Sequence, residues 1–386
     1  MSCPVCDSNN TKRIIKLDCG NFDNSSLYKE AKIYRCNDCN HVFNYLSNKE
    51  IFRLKKYYDN EYAQINLSHN KGDMYSQEQY KNIVKMLTST SSVCKYDKIL
   101  DVGCNTGGFI KYLKKINYEN VYGIDISKQF LKSSELKNVY YGDLDNLRYG
   151  DKFFKIIVAD QVLEHCVNPN KCLGDIHRIL EDDGLLYLSV PNILSYKNDI
   201  FPFYWFIMRE HIHHFNDMNL FYLLFKNGFE ILKVENNSFV KIGEHSIDTI
   251  DLVARKTYKK REYYPYNKNV RVKHYIDSYI KESKKFLLFE KFNIIKWFIK
   301  SLVYGRKFVL YGVGRECLFV FNNTILKYFK NIIFSDSYEY KINNLKIDGS
   351  RIISNDQVDL EKDQIYITAY SHKKLIMTKL QGKNVS

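Results

Sequence analysis

The chain has 386 residues, 45% of them apolar and 26% charged, which supplies material for buried cores and excludes wholesale disorder. Its longest apolar run, near Ile200–Met208, is about half of what a bilayer-spanning helix requires. No basic segment followed by an apolar one succeeds Met1, so the expectation is a soluble, cytoplasmic protein without membrane insertion. The formal charge is +14, with 32 Tyr and 24 Phe, and that combination raises the question of a nucleic-acid partner.

In chain order, the first signal is a pair of C-x-x-C motifs, Cys3-Pro-Val-Cys6 and Cys36-Asn-Asp-Cys39, separated by 29 residues. Each motif places two thiols on a tight knuckle, and four thiolates close a tetrahedral Zn²⁺ site. In a reducing compartment such spacing reads as metal ligation rather than disulfide bonding. Four protein ligands leave no open coordination position, so the zinc is expected to be structural. The other six cysteines follow no ligand spacing and read as small buried residues.

Residues 98–102 form a short buried-strand pattern, followed at once by Gly103-Cys-Asn-Thr-Gly107-Gly108 and then by helical spacing at Phe109, Ile110 and Leu113. This is strand, glycine loop and helix. The glycines admit a ligand close to the backbone, and the helix N-terminus adds free N–H groups. The loop departs from the dinucleotide pattern, because Asp101 precedes the first glycine by two residues and Asn105 stands where the second would be. A carboxylate there repels a pyrophosphate and suits a ligand carrying an amino group or a sulfonium.

A second strand, Val121-Tyr-Gly-Ile-Asp125, ends 24 residues after Asp101 in an acid placed to grip both hydroxyls of a ribose. A third strand ends near Tyr140-Tyr-Gly-Asp143, a fourth at Asp160, and a fifth spans Gly184–Val190. Strand and helix alternate, which predicts a doubly wound parallel sheet with ligands at its carboxyl edge. With these motifs the sequence resembles the class I S-adenosylmethionine-dependent methyltransferases. The resemblance rests on Asp101-x-Gly103-x-x-x-Gly107, Gly-Ile-Asp125-Ile126-Ser, Gly-Asp143-Leu144 and Val-Leu-Glu164-His165-Cys-Val-Asn-Pro, and covers roughly residues 75–255. It implies S-adenosylmethionine as cofactor, with methionine near Asp101, Gly103, Asn105 and Gly107, ribose at Asp125 and Ile126, adenine at Asp143 and Leu144, and Asp160 closing the site.

After the fifth strand, an aromatic loop (Phe201–Phe206) leads into Met208-Arg-Glu210-His211-Ile-His213-His214-Phe215. Methyl transfer to carbon or oxygen needs a base for the acceptor proton, and Glu210 and His211 are the candidates. A structural reading, as caps or core hydrogen-bonders, stands beside it. A catalytic metal on His211, His213 and His214 is disfavoured, because adjacent side chains diverge. His165, beside Glu164, is a further candidate for the pocket.

The positive charge is concentrated in Arg255–Lys300, with 14 Lys or Arg against 4 Asp or Glu. Tyr258, Tyr263, Tyr264, Tyr266 and Tyr275 interleave with it, but Lys, Tyr and Phe are abundant throughout, so the run reads as a solvated face or linker. A helix is expected over Tyr275–Leu302. Strands at 307–311, 331–336 and 364–369 follow, with Gly312-Val-Gly314-Arg-Glu-Cys317 after the first and Asp336 ending the second. This is a second βαβ unit, although Cys317 replaces the third glycine and disfavours NAD.

The expected fold class is therefore α/β in three domains, a small zinc-binding module (1–60), a doubly wound seven-stranded methyltransferase core (61–257) and a Rossmann-like domain (305–386), the last two joined by a basic helical linker (258–304). That order resembles the C-methyltransferases of deoxysugar pathways. The resemblance implies a nucleotide-linked keto-sugar substrate, an enolate formed by Glu210 or His211, and a substrate-facing tyrosine before the core, Tyr62 or Tyr75. Residues 60–69 depart from that family's pattern, which leaves the acceptor open. O- or N-methylation of a glycan or phosphorylated metabolite is the alternative, with an RNA methyltransferase bearing a zinc ribbon behind it. A monomer or weak homodimer is expected.

Overall fold

The computed structural model describes residues 1–66, 77–133, 136–144, 147–197, 200–242, 245–258, 270–380 and 385–386, without the side chains of 133, 236–242, 245–246 and 270. Tyr75, Tyr263, Tyr264 and Tyr266 lie outside the described residues. Near the N-terminus, β1 (Thr11–Asp18), β2 (Glu30–Cys36) and β3 (Val42–Asn44) form an antiparallel meander. Each C-x-x-C knuckle is followed by a residue with positive φ, Asp7 at 58° and Asn40 at 56°, side chains that tolerate the left-handed turn better than most. Helix α1 (Asn48–Tyr57) starts at Ser47, whose hydroxyl accepts from the Glu50 N–H while the Glu50 carboxylate reaches back to the Ser47 N–H. It runs on into a π-helical turn, Tyr58–Tyr62. Such turns re-aim side chains within an otherwise regular helix.

The core sheet contains β4 (Ile99–Val102), β5 (Val121–Asp125), β6 (Val139–Tyr141), β7 (Phe154–Asp160) and β8 (Leu180–Pro191). A short strand, β9 (His213–His214), leaves the core to pair with β3, setting His214 opposite Val42 and His213 opposite Phe43. The sheet is completed by β10 (Phe229–Ile242) and β11 (His245–Lys256), giving the order β10-β11-β8-β7-β4-β5-β6. Strands β4 to β8 are mutually parallel and β11 runs antiparallel to β8. β4 has β5 on one side and β7 on the other, and ligands bind at such a switch point. The third strand is shorter than the sequence suggests: it is an edge strand, with Tyr140 and Tyr141 half exposed and only β5 to pair with.

The C-terminal sheet has β12 (Phe308–Tyr311), β13 (Ile332–Asp336), β14 (Lys346–Ile347), β15 (Ser350–Ser354) and β16 (Gln364–Ile367), in the order β14-β15-β13-β12-β16. Before it, the basic stretch forms a helix of 34 residues, Val270–Val303. One of its faces is buried through Val272, Ile276, Tyr279, Ile280, Ile294 and Phe298, in a hydrophobic core shared with Ile33 of β2, Phe201 to Phe206, and Phe319 beside β12. Its Glu290 is buried as well and accepts from Tyr366 and Tyr370. The charged run thus fastens the outer sheets together along one face while its lysines stay in water. Among the described residues, no helix is long and apolar enough to cross a membrane.

Candidate functional site

A cavity of about 690 Å³ opens at the carboxyl edge of β4, β5 and β7. Gly103, Asn105, Asp125, Ile126, Asp143, Leu144 and Asp160 line it, as do Glu210 and His211. Asp101, within β4, and Gly107, at the cap of the following helix, are not among the lining residues. Gly103 (φ 71°) and Gly107 (φ 80°) hold the left-handed turns that shape the loop, and a Cβ on Gly103 would sit 2.8 Å from Val162 Cγ2. Asp125 is held by two backbone donors, the Asn105 N–H on Oδ2 at 2.9 Å and the Ser127 N–H on Oδ1 at 2.7 Å. This fixes the carboxylate at the floor of the cavity, with its remaining lone pairs free for a ligand's hydroxyls.

Carboxyl groups dominate this end. Burial raises Asp125 to about 6, opposed by its two backbone hydrogen bonds, and raises Asp160 to about 7 with a contribution from Asp251. Asp101 is pushed well above the usual range by burial and by Asp160 and Asp125. Glu164, in the short 3₁₀ turn after β7, rises to about 8 through burial. An acid-lined, low-dielectric wall of this kind is stabilised by a cationic or hydrogen-bond-donating ligand.

Glu210 and His211 sit in a turn closed by the His211 N–H on the Met208 carbonyl. The Tyr57 hydroxyl, carried by α1, donates to Glu210 Oε1 at 3.1 Å. Burial would raise the Glu210 carboxyl, but Arg315 and Arg209 outweigh it and hold the group below its ordinary value. His211 and His165 are both driven down by burial, His165 to about 4. His165 Nδ1 lies 3.0 Å from the Glu210 carbonyl oxygen and 3.0 Å from the Tyr58 hydroxyl. His213 and His214 point away from the cavity: His213 contacts His41 and the Cys166 carbonyl, and His214 contacts Tyr196. They tie the fold together, as their opposite directions along a strand require.

Tyr62 lines the cavity, along with Tyr57 and Tyr58 from the same helical segment. Residues that sequence reasoning passed over also reach it: Tyr204, Arg209, and from the C-terminal sheet Gly314, Arg315, Lys341 and His372. The Gly312–Gly314 loop thus faces the core rather than a separate crevice. Asp336, at the position of a ribose acid, is already occupied: it accepts from the Val313 and Tyr338 N–H groups and from Lys341 Nζ at 3.0 Å.

The four cysteines of the N-terminal module converge, with Cys3 Sγ and Cys39 Sγ 3.6 Å apart, Cys6 Sγ and Cys36 Sγ 3.6 Å apart, and all four sulfurs within 4.8 Å of one another. Four thiolates about 2.3 Å from a central ion stand about 3.8 Å apart in a tetrahedron, so the donor set fits Zn²⁺. The sulfurs are far beyond bonding distance for a disulfide.

Residues 56–234 match a family model described as a methyltransferase domain. The chain is 30% identical over 153 residues to an uncharacterized protein of Methanocaldococcus jannaschii, covering 39% of this chain and 56% of that protein. It is 28% identical over 148 residues to a demethylmenaquinone methyltransferase of Staphylococcus epidermidis, covering 35% of this chain and 61% of the relative. The chain therefore spans less than two thirds of the length of these relatives. An S-adenosylmethionine-dependent methyltransferase structure from Mesorhizobium loti aligns at 17% identity and a TM-score of 0.38, covering 46% of this chain and 97% of that one.

Proposed function

We propose that this chain, which matches a methyltransferase domain over residues 56–234, is a class I S-adenosylmethionine-dependent methyltransferase that transfers a methyl group to a carbon of a nucleotide-linked keto-sugar. One observation carries the reading: a continuous cavity runs from the acidic strand ends, past Glu210 and His211, to a second glycine loop where Arg315 and Lys341 line it. Its two ends differ in charge. The acidic end suits the ammonium and sulfonium of S-adenosylmethionine, with the ribose hydroxyls on Asp125. The basic end suits a substrate that carries phosphate.

The acceptor then lies near Glu210. Glu210 is ionised and His211 neutral, so both are in proton-accepting form. One of them removes a proton from the carbon beside a ketone, and the C–H electron pair becomes an enolate. The enolate carbon attacks the sulfonium methyl, the new C–C bond forms as the S–CH₃ bond breaks, and S-adenosylhomocysteine leaves. S-adenosylmethionine supplies an activated methyl; this chain supplies alignment and the base, and alignment accounts for much of the acceleration in an in-line displacement. Tyr57 orients the Glu210 carboxylate.

Cys3, Cys6, Cys36 and Cys39 would hold a structural zinc. Four thiolates leave no open position on it, so its contribution is to the fold of the module.

The reading is tested by incubating the protein with S-adenosylmethionine and a panel of nucleotide sugars, reading the mass gain of one methyl. Keto-sugars are expected to react, and exchange of deuterium from solvent at the acceptor carbon should require Glu210 or His211. Exchange that persists in both Glu210→Gln and His211→Ala, or methylation only of non-sugar acceptors, would overturn it.

A further inference from the structure

The cavity contains a second cluster of metal-ligating side chains, separate from the four cysteines. Glu164, His165 and His211 each offer a donor atom, all within 4.8 Å of one another, and all three line the cavity. Glu164 is fully buried, and among the described residues neither of its carboxylate oxygens has a hydrogen-bond partner. His211 is 8% exposed, and its Nδ1 likewise lacks a partner. Buried polar groups are ordinarily paired, so orphaned atoms on two members of one three-residue donor cluster call for a ligand.

The orientation of His165 points the same way. His165 Nδ1 lies 3.0 Å from both the Glu210 carbonyl oxygen and the Tyr58 hydroxyl; a carbonyl oxygen can only accept, so the tautomer that bonds to it carries its proton on Nδ1. The Nε2 lone pair is then free, 3.8 Å from Glu164 Oε1. An imidazole that donates its far N–H to a backbone carbonyl is the usual way a protein aims a metal-binding nitrogen. The two segments that carry the donors are also fixed to each other. The Ile212 N–H donates to the Glu164 carbonyl at 2.8 Å, and His213 Nε2 lies 2.9 Å from the Cys166 carbonyl.

We propose that Glu164, His165 and His211 bind a divalent transition-metal cation of the Mn²⁺, Fe²⁺ or Zn²⁺ class at the cavity wall, between the end of β7 and Glu210. Two imidazoles and one carboxylate suit these ions better than Mg²⁺ or Ca²⁺, which prefer all-oxygen shells. Three protein ligands leave positions open to the cavity, where oxygen donors of the acceptor would complete the shell. This last role rests on the keto-sugar reading: the cation would polarise the ketone and steady the enolate oxygen, with Glu210 left as the base. Binding of the ion itself does not depend on that reading.

The test uses the intact protein with its four-cysteine metal retained and no substrate present. Mn²⁺ is titrated in and read by electron paramagnetic resonance, with elemental analysis of zinc alongside. About one equivalent of Mn²⁺ should bind, and Glu164→Gln and His211→Asn should each weaken it by at least about tenfold while zinc content stays constant. In the unmutated protein, Co²⁺ should give weak visible bands of nitrogen and oxygen ligation without the intense near-ultraviolet bands of thiolate, a readout that survives should a variant fail to fold. No Mn²⁺ binding up to about 1 mM, or equal uptake by Glu164→Gln and the parent, overturns the site. Failure of the keto-sugar reading alone would leave Mn²⁺ uptake unchanged.

Discussion

His165 Nδ1 lies 3.0 Å from the Glu210 carbonyl oxygen, so that the backbone of one residue of the proposed base pair meets a histidine on another segment. The contact joins the 3₁₀ turn after β7 to the turn before β9. These two walls of the cavity are therefore held together as one unit. Changes in either turn should be felt in both.

If Asp125 holds the ribose as proposed, cofactor affinity should depend on pH. Burial raises it to about 6, above the ordinary value near 3.9. For an acid with a raised folded pKa, stability is greatest below the unfolded value and is lost as pH rises through the folded one. The shift of about two units corresponds to roughly 3 kcal/mol. Ribose hydroxyls donate to the ionised form, so S-adenosylmethionine should bind more tightly as pH climbs through 6, and its thermal stabilisation should be larger at pH 7.5 than at pH 5. Asp125→Ala should cost at least about a hundredfold in affinity, since two strong hydrogen bonds and the loop anchor are lost together. Calorimetry across pH 5–8 reads both, and a flat profile would sink the assignment.

Gly103→Ala isolates the loop geometry. At φ 71° an L-residue is strained, and its Cβ would lie 2.8 Å from Val162 Cγ2. The two effects together should destabilise the protein by about 2–4 kcal/mol, visible in urea unfolding, with a matching loss of cofactor affinity. Adding Val162→Ala removes the clash but not the strained φ, so recovery should be partial. Full recovery would mean that the backbone conformation carries no cost.

The parts of the site visible in the sequence are those encoded locally. Asp125 and Asp160 each end a strand and Asp143 follows one by two residues, and strand ends are readable from a hydrophobic run and its spacing; the C-x-x-C pairs are readable for the same reason. What stayed hidden depends on segments that meet only in the fold. Tyr57 and Glu210 are 153 residues apart, and Arg315 enters the cavity from a loop that looks, in isolation, like a dinucleotide motif. In the basic stretch, charge drew attention away from Val272, Ile276, Tyr279 and Ile280, whose helical spacing marks the buried face.

Arg315 supplies much of the positive potential that keeps Glu210 ionised in a buried place. Arg315→Met leaves that carboxylate with Arg209 as its main remaining cation, and should destabilise the protein by about 2–3 kcal/mol. The double variant Arg315→Met, Glu210→Gln removes both charges and should regain more than half of the loss. Urea unfolding of the four proteins in the cycle gives the coupling energy. Strict additivity of the two single variants would show that Arg315 and Glu210 act independently.

The four-cysteine module bears on the site through the sheet it shares with β9. β3 pairs with β9, His41 Nε2 contacts His213 Nδ1 at 3.1 Å, and Asn219 Nδ2 donates to the Cys39 carbonyl at 2.7 Å. These contacts flank Glu210 and His211 on their C-terminal side, so a metal held by the cysteines would stabilise the turn that carries the proposed base. Binding energy at a structural thiolate site is folding energy, and Cys36→Ser should release about one equivalent of zinc and lower the melting temperature by more than about 5 °C. The Asp125 floor lies in a different sheet, so cofactor affinity should fall far less than the rate of methyl transfer. Elemental analysis, a melting curve and calorimetry separate the three effects. Purified parent protein without zinc, or a Cys36→Ser variant that melts with the parent, would remove the metal from the account, and an equal loss of cofactor affinity and rate would place its influence on the whole core rather than on the turn.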